Sequence, residues 1–304
     1  MRSLLTVALF VATSGTGALG AGETSENPAS GIARGETAVL RSYHAHGWLV
    51  RETANFRIMT WSSSSHAQRL PQVCESLRCE LQRAWCEKRN DVWSPRCDIV
   101  LHPSVESYRR SLGPGSEQSA GCTSLRLDKG KVVVRRVDLR EDAEDWLAEA
   151  LPHELTHVVI ADRFCWKQLP RWADEGMAIL AESHRRQLRR HREFERAATR
   201  QAIYHTAELL RLTDYPTPAY RDAFYGQSAS LVEYLVARDG AETFLRFVER
   251  GMTVGYDAAA RDCYGISLGE LDSQWRPRLH YRDPSPPLLA QQISHITAGA
   301  ANAP

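Results

Sequence analysis

The stretch Trp146-Leu147-Ala148-Glu149-Ala150-Leu151-Pro152-His153-Glu154-Leu155-Thr156-His157-Val158-Val159 decides how this chain reads. Its apolar members Trp146, Leu147, Leu151, Leu155, Val158 and Val159 recur at helical spacing, so the segment is an amphipathic helix. Pro152 suits the first turn of that helix, or a kink just ahead of the first histidine. On a helix, positions four apart differ by about 40° in azimuth and about 6 Å in rise. His153 and His157 therefore leave the same face and can bind one ion. Glu154 points about 100° away. It is badly placed as a third ligand, but it can take a proton from a water on the metal.

A carboxylate on a second helix completes the set. Downstream runs Leu169-Pro170-Arg171-Trp172-Ala173-Asp174-Glu175-Gly176-Met177-Ala178-Ile179-Leu180. Pro170 suits the start of a helix, and Met177, Ile179 and Leu180 give it apolar surface. Gly176 and Ala178 are small enough to let two helices approach closely. Glu175 is the candidate third ligand. Two neutral imidazoles and one carboxylate leave a Zn2+ ion an open position for water, as catalysis requires. Asp174, its neighbour, is a candidate support for the metal ligands.

These two segments together resemble the gluzincin metallopeptidases, and in particular their peptidase MA-like branch. The resemblance rests on residues 153–178, with a looser likeness of layout over about 40–280. It implies that His153, His157 and Glu175 bind zinc, that Glu154 is the general base, and that a peptide or protein is the substrate. It also implies a Tyr or His after the third ligand to stabilise the oxyanion. Tyr225 is the candidate, because Tyr225-Gly226-Gln227 matches a segment of similar proteins; Tyr204, His205 and Tyr220 are poorer ones. The chain departs from the aminopeptidases of that group. Its gap from His157 to Glu175 is one residue shorter and their G-x-M-E-N substrate motif is absent, so aminopeptidase activity is not implied.

The rest of the chain reads as α+β and zincin-like: a small mixed sheet packed on an active-site helix, followed by a mostly helical C-terminal part. Strands are expected at Trp48–Val50, Phe56–Met59, Cys97–Leu101 and Lys131–Val137, and helices over about 65–88 and Val105–Leu112. The strand Lys131–Val137, directly before the metal helix, is a candidate edge on which extended substrate backbone could pair. Its Val132-Val133-Val134 run fits an interior strand as well. The expected organisation is a signal peptide over 1–20, a linker over 21–38, one peptidase domain over 39–280 and a disordered tail over 281–304. Within that domain, about 39–140 holds the strands and about 141–280 the helices.

Arg2 before the apolar run Leu4–Ala12, and small residues up to Gly20-Ala21, read as an export signal with a cleavage site. The mature protein is expected to be secreted or periplasmic, with no stable membrane insertion. Seven cysteines suit an oxidising compartment, and Cys86–Cys97 is the expected disulfide. A formal net charge of +1 gives no support for nucleic acid as a partner. The arginine-rich stretch His184–Arg192 reads as a solvated helix face. The main expectation is a zinc-dependent hydrolase of peptide bonds. The alternative is a noncatalytic, zinc-containing peptide- or envelope-binding protein on the same fold, which would not need Glu154.

Overall fold

A computed structural model of the chain describes residues 8–9, 39–86, 91–280 and 285–301. The expected signal peptide and linker lie outside the described residues, apart from Ala8–Leu9. The described part is mixed α+β. One sheet has the order β1-β6-β7-β5-β4-β3-β2. It contains β2 (Arg41–Ala45), β3 (Trp48–Glu52), β4 (Phe56–Thr60), β5 (Cys97–His102), β6 (Gly121–Asp128) and β7 (Lys131–Arg140). The two-residue β1 (Ala8–Leu9) lies parallel along the outer side of β6. β2, β3 and β4 form an antiparallel meander, β4, β5 and β7 run parallel, and β6 returns antiparallel to β7. The β2–β3 turn is His46-Gly47, with φ of 50° and 82°. Both residues at positive φ is what a two-residue hairpin turn of this hand demands, and glycine supplies it without strain.

One sheet face carries the core. Phe56, Ile58, Ile99, Leu101, Val137 and Leu139 point to it and meet Leu70, Leu77 and Leu81 of α1 (Ser65–Trp85). Leu151, Leu155, Val158 and Val159 of α3 (Leu151–Ile160) pack into the same cluster. α2 (Val105–Leu112) lies between β5 and β6 in sequence and packs against β5 and β7. A π-helical turn, Trp146–Ala150, leads into α3.

The helices after α3 build a second core. They are α4 (Arg171–Leu180), α5 (His184–Thr199), α6 (Thr206–Arg211), α7 (Arg221–Val254), α8 (Tyr256–Tyr264) and α9 (Leu268–Trp275), while α10 (Leu288–Ala301) packs on α1 instead. Trp172, Met177, Phe224, Leu231, Phe244 and Phe247 lie at the centre of that core. α4 and α7 touch at Gly176, where a Cβ would sit 2.5 Å from Val232 Cγ2 and 2.7 Å from the Ser228 carbonyl oxygen. Only a residue without a side chain allows this approach.

Three expectations need correction. β7 is not an edge: it lies between β6 and β5, as its valine run also suited, and the strand packed beside α3 is β6, whose outer side carries the two-residue β1. The tail is not disordered throughout, because α10 puts Ala290 and Ile293 into buried positions against α1. Cys86 and Cys97 are not bridged, and none of the seven cysteines is in a disulfide. Cys97 is fully buried in the sheet-side core close to Cys74, and burial pushes both thiols up. Cys86 instead ends α1, beside Asp162 and Arg163.

Candidate metal centre

α3 and α4 bring three donors to one point. One ligand atom each from His153, His157 and Glu175 lies within 4.8 Å of the other two, and all three residues are buried. The helical spacing explains the first two. The ring centroids of His153 and His157 stand 5.1 Å apart, edge to face. Glu175 enters from α4, and its Oε2 is 3.5 Å from His153 Nε2.

The outer atoms of these residues are all engaged. His153 Nδ1 donates to Glu182 Oε1 at 2.9 Å, and His157 Nδ1 donates to Asp174 Oδ1 at 2.6 Å. A carboxylate only accepts, so in both neutral rings the hydrogen sits on Nδ1 and Nε2 offers a lone pair. Tyr215 Oη donates to Glu175 Oε1 at 2.9 Å. The inner atoms are the reverse. His153 Nε2, His157 Nε2 and Glu175 Oε2 are buried with no hydrogen-bond partner. A buried polar atom without a partner costs about 1–3 kcal/mol, and such atoms call for an explanation. Three of them facing one point, all lone-pair donors, fit a divalent cation with nitrogen and oxygen ligands.

Glu154 sits at the same place. Its Oε2 accepts a hydrogen bond from Thr123 Oγ1 of β6 at 2.6 Å, and its Oε1 is buried without a partner. Gly121 allows this position: a Cβ there would lie 2.8 Å from Glu154 Cγ. Burial pushes the Glu154 carboxyl up from its ordinary pKa, as a proton acceptor needs. Burial pulls His153 the other way, but the flanking Glu175 and Glu182 outweigh it and raise its pKa to about 9, so a cation bound at Nε2 must displace a proton held there at neutral pH. Burial opposes the charge on Glu175 too. The neighbouring imidazoles and Tyr215 still bring its pKa down to about 2.

The supporting residues reach further than the sequence showed. Glu182, fully buried, accepts from Arg190 Nε at 2.6 Å, so part of the arginine-rich stretch turns inward. Arg186 and Arg190 are buried, while Arg185 remains exposed. Arg171 lies over the Tyr215 ring at 4.5 Å. Glu182 was findable, being two helical turns beyond Glu175. Tyr215 lies in an irregular loop, and Thr123 on a strand with no apolar run, so neither carried a signal. Tyr225 lies at the start of α7, 8% exposed, with Arg190 4.9 Å above its ring. Burial and then the charge of Glu175 raise its pKa, which puts it in the electrostatic reach of the third donor. Tyr204 and Tyr220 instead pack against each other at 5.1 Å.

Residues 131–281 match the Peptidase MA superfamily. That match covers both helices of the candidate centre and supports a gluzincin-like peptidase clan, hence a peptidase-type enzyme acting on peptides or proteins. No curated protein matches the chain. No described helix is long and apolar enough to cross a membrane.

Proposed function

We propose that this Peptidase MA domain works as an exported, zinc-dependent metallopeptidase of the gluzincin type. The observation that carries the reading is the convergence of three unpartnered, buried donor atoms on one point, with the unpartnered Oε1 of Glu154 beside them. His153, His157 and Glu175 would hold the zinc. A zinc ion there supplies Lewis acidity, polarising the scissile carbonyl and acidifying water.

The chain's own residues do the rest. Glu154 accepts the proton of the attacking water on Oε1 and passes it to the leaving amine, while Thr123 fixes its other oxygen. Asp174 and Glu182 hold both imidazoles in the ligating tautomer. Tyr225 donates to the oxyanion that develops on the carbonyl. Substrate backbone lies along the outer edge of β6, beside Thr123. Ala8 pairs with Ser124 and Leu9 with Leu125 on that edge, so extended chain fits there. Cleavage of the signal segment after Gly20 would remove that strand and open the edge to substrate.

Metal analysis joined to a peptide-library cleavage assay tests the reading. Wild type should carry one zinc per chain and cleave peptides. Glu154→Gln should keep the zinc and lose at least ~100-fold in turnover, the lower range for a general base. A folded, zinc-loaded wild type that cleaves nothing in the library would favour the noncatalytic alternative, and absence of zinc from His153, His157 and Glu175 would remove the reading altogether.

A further inference from the structure

A second constellation of catalytic type sits on the other side of the sheet. Along β7, Val137 and Leu139 face the core, so Arg136 and Asp138 face away from it. Over that outer face lies α2. Between them His102 Nε2 donates to Asp138 Oδ1 at 2.7 Å, and His102 Nδ1 lies 3.2 Å from Ser107 Oγ. Asp138 is fully buried and His102 nearly so. A carboxylate fixes the hydrogen on Nε2, so Nδ1 is the acceptor and the Ser107 hydroxyl donates to it. Arg136 clamps Asp138 with two bonds of 2.7 Å. That clamp and His102 outweigh the effect of burial and keep the carboxyl below its ordinary pKa.

Ser107 is half-buried and opens onto a cavity of about 600 Å³. One wall is apolar: Trp48, Met59, Trp61 and Val100. Trp61 is 56% exposed, yet it is held in place, edge-on to Trp48 at 5.3 Å and against the Gly47 turn. The other wall is α2. Ser107, Arg110 and Ser111 share one face of it at three- and four-residue spacing, so Arg110 stands one turn from Ser107 on the same cavity wall. Arg110 is exposed and has no ion-pair partner among the described residues.

We infer that Ser107, His102 and Asp138 form a nucleophile, base and orienting carboxylate for hydrolysis of carboxylic esters whose acyl group is aromatic or short and apolar. The order hydroxyl, imidazole, carboxylate sets the three roles, here with Nδ1 facing the serine and Nε2 the aspartate. Ser107 Oγ attacks the ester carbonyl carbon as its proton passes to His102 Nδ1. The bond from that carbon to the alcohol oxygen breaks, and His102 returns the proton to the leaving alkoxide. Water, deprotonated by the same nitrogen, then hydrolyses the acyl-serine and restores the hydroxyl. Arg110 supplies positive charge for the oxyanion, and the Trp48–Trp61 wall takes the acyl group.

The inference is independent of the metal centre, and its test separates the two. Full-length wild type and Glu154→Gln are treated with a biotinylated fluorophosphonate, and the modified residue is mapped by mass spectrometry. Both should be labelled on Ser107. Both should also hydrolyse p-nitrophenyl butyrate, an activity that Ser107→Ala loses. His102→Gln should slow labelling by ~100-fold or more, the scale of a lost general base. No label on folded wild type overturns the inference, as does a label on another residue or undiminished labelling of folded His102→Gln. If His102→Gln does not fold, Ser107→Ala decides, and retained esterase activity there overturns it equally.

Discussion

Asp174 Oδ1 lies 2.6 Å from His157 Nδ1, although its own neighbour Glu175 points at the opposite nitrogen of the same histidine pair. Successive residues of a helix diverge by about 100°, so two adjacent carboxylates of α4 serve the site from two sides. One offers an inner donor, and the other fixes the ring that offers the next. Asp174→Ala should therefore weaken zinc binding by about 10–100-fold without displacing Glu175. A competition titration with a zinc chelator measures this, and unchanged affinity would strip Asp174 of the role.

Gly121→Ala probes the base without touching its chemistry. The new Cβ would fall 2.8 Å from Glu154 Cγ and 3.0 Å from Oε1, so the carboxylate must move. A displacement on the order of 1 Å costs about 100-fold in turnover. Zinc content should stay at the wild-type level. Normal kcat in this variant would mean that Glu154 tolerates other positions and is not tightly placed.

The two tyrosines should separate by kinetics. Tyr225→Phe should lower kcat by about 100-fold and leave KM nearly unchanged, as for loss of an oxyanion donor of about 3 kcal/mol. Tyr215→Phe removes the hydrogen bond to Glu175 Oε1 and should chiefly weaken zinc binding. If Tyr225→Phe changes only the melting temperature, its hydroxyl has no part in turnover and Tyr215 becomes the residue to follow.

Gly176→Ala should destabilise the helical half by about 1–3 kcal/mol, the usual cost of overpacking. Its Cβ meets backbone at Ser228 as well as the Val232 side chain, and backbone yields least. Thermal melting reads the loss directly. A melting temperature equal to wild type would show that α4 and α7 can part freely.

Acid stability should depend on Asp138. Its folded pKa is depressed, so its contribution is present above the ordinary aspartate value of about 3.9 and fades as pH falls through the folded value. Melting temperatures of wild type should drop over that acidic range. Asp138→Asn should be less stable than wild type near neutrality and show a shallower acid dependence. Parallel pH profiles would assign the acid sensitivity to other carboxylates.

How much of this was legible follows from where the signals are local. His153 and His157 were readable as a pair because helical period alone puts them on one face, whereas Glu175 comes from a second helix and only its local motif pointed to it. The interior place of β7 was written in its three consecutive valines, which leave no polar face for solvent. β6 escaped notice because Cys122-Thr123-Ser124 offers neither alternation nor an apolar run, and its stability comes from pairing with β7. Tyr215 approaches Glu175 across 40 residues, through a turn that sequence period does not encode. The tail misled by composition: its alanines and glutamines hide Leu289, Ile293 and Ile296 at helical spacing, which pack on or within the sheet-side core.

That last helix bears on how the molecule can be cut. The family match stops at residue 281, and a recombinant fragment trimmed there would look complete by sequence comparison. It would lack α10, and with it the Ile293 side chain, whose burial contributes about 1.5–3 kcal/mol. The Arg69 contact to the Gly299 carbonyl would go too. The exposed flank of α1 would then be a greasy scar on the particle surface. Such a fragment should clump on concentration where the full chain stays dispersed, so the unit of folding outruns the unit of family resemblance.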